Sequence, residues 1–209
     1  MKRIHGVFVC WSLAVLLLFF SGCSYITPED TGQELTPVKS IGVLPASIVT
    51  RQPTEAKTLE ELEDGAGTIN SLLADYFQGY QNISLISQSE LEGLSSKESG
   101  KSLYLAREAG EQLHYDAVLI TSVERYQARD GSEYAVITPA SVSFSLKLLA
   151  VKSGRIIWSA DFDQTQQPLF ENVLKTRSTG SGFSWLTAAE LASAGLTKKL
   201  NNCPYLKRD

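Results

Sequence analysis

From residue 38 onward, the spacing of apolar and polar positions assigns an element to most of the chain. VKSIGVLPASIV (38–49) is a β-branched run broken by Pro45, which predicts a strand ending near Leu44. Leu59, Leu62, Ala66, Ile69, Leu73, Tyr76 and Tyr80 then recur at three- and four-residue spacing, and Leu72 and Phe77 widen the stripe. This is the strongest helical pattern in the sequence. Thr58 with Glu61 reads as its capping box, and Glu60, Glu61, Glu63 and Asp64 fall in its first turns, where the helix dipole favours negative charge. NISLIS (82–87) predicts a short second strand and QSELEGL (88–94) a single helical turn, while Leu103, Ala106, Gly110 and Leu113 mark one face of a second full helix. YDAVLITSVERYQ (115–127) begins continuously apolar and becomes alternating, as a central strand does on leaving a core.

Asp130-Gly131 is a hairpin-turn dipeptide. Beyond it Val142, Phe144, Leu146, Leu148 and Ala150 alternate with Ser141, Ser143, Ser145 and Lys147, so this strand is expected to have one buried and one wet face. VKSGR (151–155) turns, and Ile156, Trp158, Ala160 and Phe162 repeat the alternation, completing an antiparallel meander. After a polar QTQQP and a Gly-rich STGSG (178–182), a last helix is predicted from Thr187, boxed by Glu190, to about Asn201. The order β-α-β-α-β-β-β-α predicts an α/β (α+β) fold. It has a mixed sheet of about five strands with helices packed mainly on one face. The single domain is expected over 38–202, with 203–209 a tail.

The first residues follow another pattern. After Met1-Lys2-Arg3, an apolar run of 14 residues from Val7 to Phe20 is interrupted only by Ser12. About 20 such residues are needed to span a bilayer, so the run fits the hydrophobic region of a signal peptide. It ends in Ser21-Gly22-Cys23, which resembles the lipobox of bacterial lipoproteins. That resemblance implies a signal peptide at 1–22, cleavage before Cys23, lipidation (including palmitate) of Cys23, and a flexible linker over 23–37. Several acyl chains on one residue exceed what stable anchoring requires. Ser24 in place of Asp implies, on the same resemblance, the periplasmic face of the outer membrane.

Without the first 22 residues, 187 remain, enough for one domain with a real core, and they carry 17 Lys+Arg against 23 Asp+Glu. A net charge of −6 with no basic cluster beyond Lys207-Arg208 argues against nucleic acid as a partner. Cys10 leaves with the signal and Cys23 is the lipidation site, so Cys203 stands alone and no intramolecular disulfide is expected. It is either half-buried and inert or a site of intermolecular pairing.

IGVLP, QLHYDAVLITSVERY and LKLLAVKSGRIIWSADFD together resemble a group of bacterial lipoproteins with a small α/β domain related to the N-terminal domain of TolB. The group includes the curli secretion-channel lipoprotein, the exopolysaccharide-export lipoprotein and the lipoprotein activators of penicillin-binding proteins. The resemblance runs over residues 38–163 and departs from the group's pattern at Ala150, where it has Asp, and at Thr121, where it has Gly. It implies a role in a cell-envelope complex. No ten-residue alternating hairpins remain unassigned, so a transmembrane pore is not expected.

Chemistry-bearing patterns are sparse. The mature chain has one histidine, His114, at a helix end, where a cap or packed residue is the ordinary role. HExxH, CxxC and the nucleophile-elbow spacing are absent from the sequence, and TGSGF (179–183) does not supply the last. Asp161 and Asp163 share a strand face and, with Glu171, raise calcium, but a hard cation wants six or more oxygens and exposed carboxylates are ordinarily solvated. No metal, cofactor or catalytic residue is therefore implied. Phe170, Phe183 and Trp185 sit in segments without helical or strand period. They either staple the last helix to the sheet or form a partner-facing patch. Tyr126 and Tyr134, flanking Asp130-Gly131, are a second candidate patch or a structural cross-strand pair. The expected function is a non-enzymatic, membrane-anchored lipoprotein that meets envelope protein partners. Within it a homo-oligomeric collar and a monomeric synthase activator are equally open. The alternatives are a glycan- or peptide-binding module in the aromatic C-terminal region, and third an enzyme.

Overall fold

Among the described residues four strands pair in parallel and three antiparallel in one main sheet, with one long strand shared between the two halves. This is seen in a computed structural model that describes residues 37–50, 55–94, 102–131, 136–166 and 186–206. In chain order the elements are β1 (Ile41–Val43), β2 (Ser47–Ile48), α1 (Ala56–Phe77), β3 (Ile83–Leu85), α2 (Gln88–Leu94) and α3 (Ser102–Gln112). They continue with β4 (Ala117–Gln127), β5 (Asp130–Gly131), β6 (Val136–Thr138), β7 (Ser141–Ala150), β8 (Arg155–Thr165) and α4 (Ala188–Asn201). The sheet order is β3-β1-β4-β7-β8, with β2 also beside β4. β3, β1, β2 and β4 pair in parallel, and β4, β7 and β8 form the antiparallel meander. The mixed α/β sheet predicted from the patterning is therefore present.

One face of this sheet carries the larger core. Ile41, Leu119, Val123, Phe144 and Leu146 meet Leu62, Ile69, Leu73 and Phe77 of α1 and Leu191, Leu196 and Leu200 of α4. Phe144 and Phe162 stack with centroids 5.0 Å apart. Each fully buried side chain of this size contributes roughly 1.5–3 kcal/mol. On the opposite face α3 sets Ala106 and Ala109 against Val118, Ile120, Leu149 and Val151. The two long helices thus share one face, and the shorter α2 and α3 cover part of the other.

Pro45 does break the first strand, but β2 resumes parallel to Ser122-Val123 of β4. α1 begins earlier than its expected cap. Glu55 is the N-cap without a side-chain bond, and Thr58 lies inside the first turn. Ala56 and Lys57 are strong helix formers, so the helix propagates back past the threonine. Leu59 is 38% exposed and leaves the buried stripe, while Gly65 joins it. The box on α4 forms as expected: Thr187 Oγ1 accepts from Glu190 N at 3.2 Å, and Glu190 Oε2 accepts from Thr187 N at 2.7 Å. Asp130-Gly131 is not the turn itself but one arm of a separate ribbon paired with β6. The chain is also embedded beyond residue 202: Cys203 and Leu206 are buried in the main core.

Two residues of the QLHYDAVL stretch have structural work. His114 adopts φ 61° at the end of α3, and Tyr115 N donates to Gly110 O at 2.9 Å, which closes the helix in a left-handed C-cap. Asp116 Oδ2 accepts from Lys39 N at 2.9 Å and Ser40 N at 3.2 Å, tying the start of β1 to the start of β4.

Candidate functional site

The alternation in β4 changes phase at Glu124-Arg125. Val123 and Tyr126 both face the core although three positions separate them, and the register against β7 shifts between Val123 and Arg125. This is a β-bulge, a device that bends a strand and re-aims side chains. Arg125 and Asp163 stand opposite the same residue, Ser143, from the strands on either side of β7. The guanidinium therefore reaches across β7: its Nη2 donates to the Asp163 carboxylate and its Nε to Ser141 Oγ at 2.6 Å. Ser141 is also 2.7 Å from Thr165 Oγ1. This strap lies over Ser141 and Ser143, which with Ser145 were expected to be wet and are buried. Short side chains on a central strand lie beneath the longer side chains of its neighbours.

Beside the strap is a cleft of about 460 Å³, where β2 ends and α1 begins. Thr50, Thr58, Glu124 and Ser143 give it polar walls, and Val49 and Leu62 an apolar one. Ser143 is only 8% exposed. A guanidinium keeps its proton at any working pH, so Arg125 and Asp163 form a fixed pair rather than an acid/base couple. What the arrangement offers is directed hydrogen bonding. A smaller crevice of about 260 Å³ opens beyond the C-terminal ends of β1 and β3, lined by Leu44, Pro45, Asn70, Leu73 and Leu85. Asn70 Oδ1 already accepts from Ala46 N there, at 2.7 Å.

Tyr126 packs over Gly65 of α1, with its hydroxyl 3.4 Å from Thr68 Oγ1, and so pins the helix to the sheet. The cross-strand pair expected with Tyr134 involves a residue outside the described ones. Cys23, Tyr134, Phe170, Glu171, Phe183 and Trp185 lie outside the described residues. Asp163 is engaged by Arg125, and among the described residues no three His, Cys, Asp or Glu cluster to hold a metal. His114 precedes β4 while the cleft lies near the strand's far end, so the structure does not bring them together. Cys203 is 4% exposed, and burial raises its thiol pKa. No described helix is long and apolar enough to cross a membrane. Sequence reasoning missed Glu124, Arg125 and Ser143; the broken alternation in SVERYQ was the available signal.

No protein-family model and no curated protein matches the chain. Solved structures similar to it include the PelC dodecamer from Paraburkholderia phytofirmans, at TM-score 0.48 and 17% identity over 82% of this chain and 90% of that one. The LpoB C-terminal domain from Escherichia coli aligns at TM-score 0.39 and 18% identity, over 65% and 90%. Lipoprotein GNA1162 from Neisseria meningitidis does so at TM-score 0.40 and 15% identity, over 79% and 99%. Scores below 0.5 at such identities record a likeness and assign no function.

Proposed function

We propose that the chain is a lipid-tethered accessory protein of the cell envelope, held at the periplasmic face of the outer membrane and acting by contact with protein partners rather than by catalysis. The observation that carries this reading is Ser21-Gly22-Cys23 following a cationic start and a 14-residue apolar run. The geometry of the cleft supports the non-enzymatic part, because Arg125 and Asp163 on its wall are tied into a strap and offer directed hydrogen bonds. Labelling cells with palmitate tests the tether. The wild-type chain is expected to take up label and pellet with outer membranes, and Cys23→Ala to lose both label and membrane association. An unlabelled wild-type chain would sink the proposal.

One observation favours a second reading, a ligand-binding module: a cleft of about 460 Å³ with polar and apolar walls, within the size range of small-molecule sites. The expected place for such a site was the aromatic C-terminal region; this reading moves it to the bulge of β4. A glycan fragment or short peptide that shifts the amide resonances of Ser143 and Arg125, and ceases to do so in Ser143→Leu, would support it.

A further inference from the structure

One end of the sheet is marked by a row of residues: Ile83, Ile41, Ala117, Ala150 and Arg155 stand side by side across β3, β1, β4, β7 and β8. Pro37 and Lys39 lead into β1 here, so this is where the chain enters the domain. The β7–β8 turn, with Lys152, is at the same end. The helices bring their last turns to it as well. α1 runs back from the far end of β1 to the start of β3, and the Tyr76 hydroxyl near its close donates to Asn201 Oδ1, at the close of α4, at 2.8 Å. α3 closes just before β4, and its Arg107 guanidinium lies against Gly154 of the β7–β8 turn.

Charge is sorted along this axis. The entry end carries Lys39, Arg107, Lys152 and Arg155, with Lys198 and Lys199 in the last turn of α4. Of its acids, Asp116 accepts from the backbone of Lys39 and Ser40, Glu111 from Arg107 and Glu108 from Gln112, and Asp75 adds a fourth near the close of α1. At the opposite end α1 opens with Glu55, Glu60, Glu61, Glu63 and Asp64, α4 opens with Glu190, and the second half of β8 holds Asp161 and Asp163. Lys57, Arg125 and Arg129 offset these only in part. Helix dipoles favour acids at the start of a helix and bases at its close. They do not account for Lys152 and Arg155 in a hairpin, or for Asp161 and Asp163 in a strand.

We infer that the entry end of the domain is a docking surface for the anionic headgroups of the phospholipid bilayer that holds the tether. The domain then stands on the membrane with its acidic end, and the cleft at the bulge, turned away. This rests on the tether proposed above. Residues 24–36, fully extended, reach at most roughly 50 Å, so a lipidated Cys23 keeps the domain close to the headgroups. Each Lys or Arg brought to an anionic surface strengthens association roughly fivefold, and the acidic end is repelled. Ile156, 44% exposed beside Arg155, adds an apolar side chain suited to the headgroup boundary. A few such residues orient a tethered domain without holding an untethered one, in keeping with the loss of membrane association expected of Cys23→Ala.

The test uses the full lipidated chain, reconstituted from detergent into phosphatidylcholine vesicles with or without phosphatidylglycerol. A fluorophore is attached through Ser153→Cys, in the β7–β8 turn, or through Ala128→Cys, beyond the far end of β4; Cys203 is buried and is spared. Lipids with a nitroxide on the headgroup then quench whichever label approaches them. The tether alone brings Ser153 nearer than Ala128, so the dependence on charge decides. Phosphatidylglycerol should raise the ratio of quenching at 153 to that at 128 several-fold. Salt should reverse the rise, since the field fades within about 8 Å at physiological ionic strength. Lys152→Glu with Arg155→Glu should abolish it at unchanged circular dichroism. A chain that does not float with the vesicles refutes the tether, and the inference with it. A chain that floats but shows the same ratio on both kinds of vesicle, or stronger quenching at 128, overturns the inference alone. The basic end then serves another partner, such as an acidic protein.

Discussion

A glycine beneath an aromatic ring recurs at the contacts that seat helices on this sheet. A Cβ on Gly65 would lie 2.5 Å from Tyr126 Cβ and Cγ, and one on Gly195 would lie 2.6 Å from the Phe162 ring. Two glycines in α1 therefore differ sharply, for a Cβ on Gly67 meets nothing within 4 Å. Gly65→Ala is expected to destabilise the fold by about 1–3 kcal/mol, because the helix must move off the sheet or Tyr126 must leave its place. Gly67→Ala is expected to stabilise it by about 0.5–1 kcal/mol through helix propensity alone. Urea unfolding of the 24–209 chain distinguishes them, and equal effects at the two positions would refute the Tyr126 contact. The same contact shows what the sequence leaves unsaid. Periodicity placed Leu59 in the buried stripe and passed over Gly65, since a position buried for lack of a side chain has no hydrophobic signal.

At the scale of elements, the strands and helices were legible wherever their own residues carried the pattern. The meander, α1 and α4 stand close to where alternation and spacing put them, and the Thr187–Glu190 box forms as read. What escaped depends on neighbours. Ser141 and Ser143 of β7 look solvated in isolation and lie beneath Arg125, whose side chain the bulge of β4 turns over them. The Thr58 box failed because residues before it were good helix formers. The caps that do form have a titration signature. Glu190 is held below the ordinary carboxyl value of 4.5 by hydrogen bonds from the Thr187 backbone and hydroxyl. Glu90 is held low likewise, by the Ser87 hydroxyl and backbone. A carboxyl whose folded pKa is depressed stabilises the fold fully above its unfolded value, and that part is lost as pH falls through the folded one. The urea midpoint should accordingly decline below about pH 4.5, and Glu190→Gln should flatten that decline while lowering the midpoint at neutral pH. A variant with an unchanged slope would mean that the box does not form in solution.

For the whole molecule, the end of the described chain is part of the core. Cys203 and Leu206 are packed with Leu196, Leu200 and the residues of the sheet rather than trailing from α4. Burial both screens the Cys203 thiol and raises its pKa, so it should resist an aromatic disulfide reagent in the native state and react once the protein unfolds. The reaction rate should track the global opening equilibrium, rising with urea in parallel with loss of structure. Rapid labelling in the absence of denaturant would place the thiol outside the core. The domain limit at residue 202 was drawn from the helix pattern, and no periodic signal could carry it onward: CPYL is too short to have one.

That packing has a consequence for how the protein is made. A chain made amino end first presents α1 and the strands of the sheet while α4 and Cys203–Leu206 are still to come. Until they arrive, the apolar surface around Phe144 and Leu148 has no lid, and the main core cannot close. Closure therefore waits for residue 206, and a chain arrested in synthesis, or cut a few residues short, would remain pliable and open to proteolysis rather than setting into its final form.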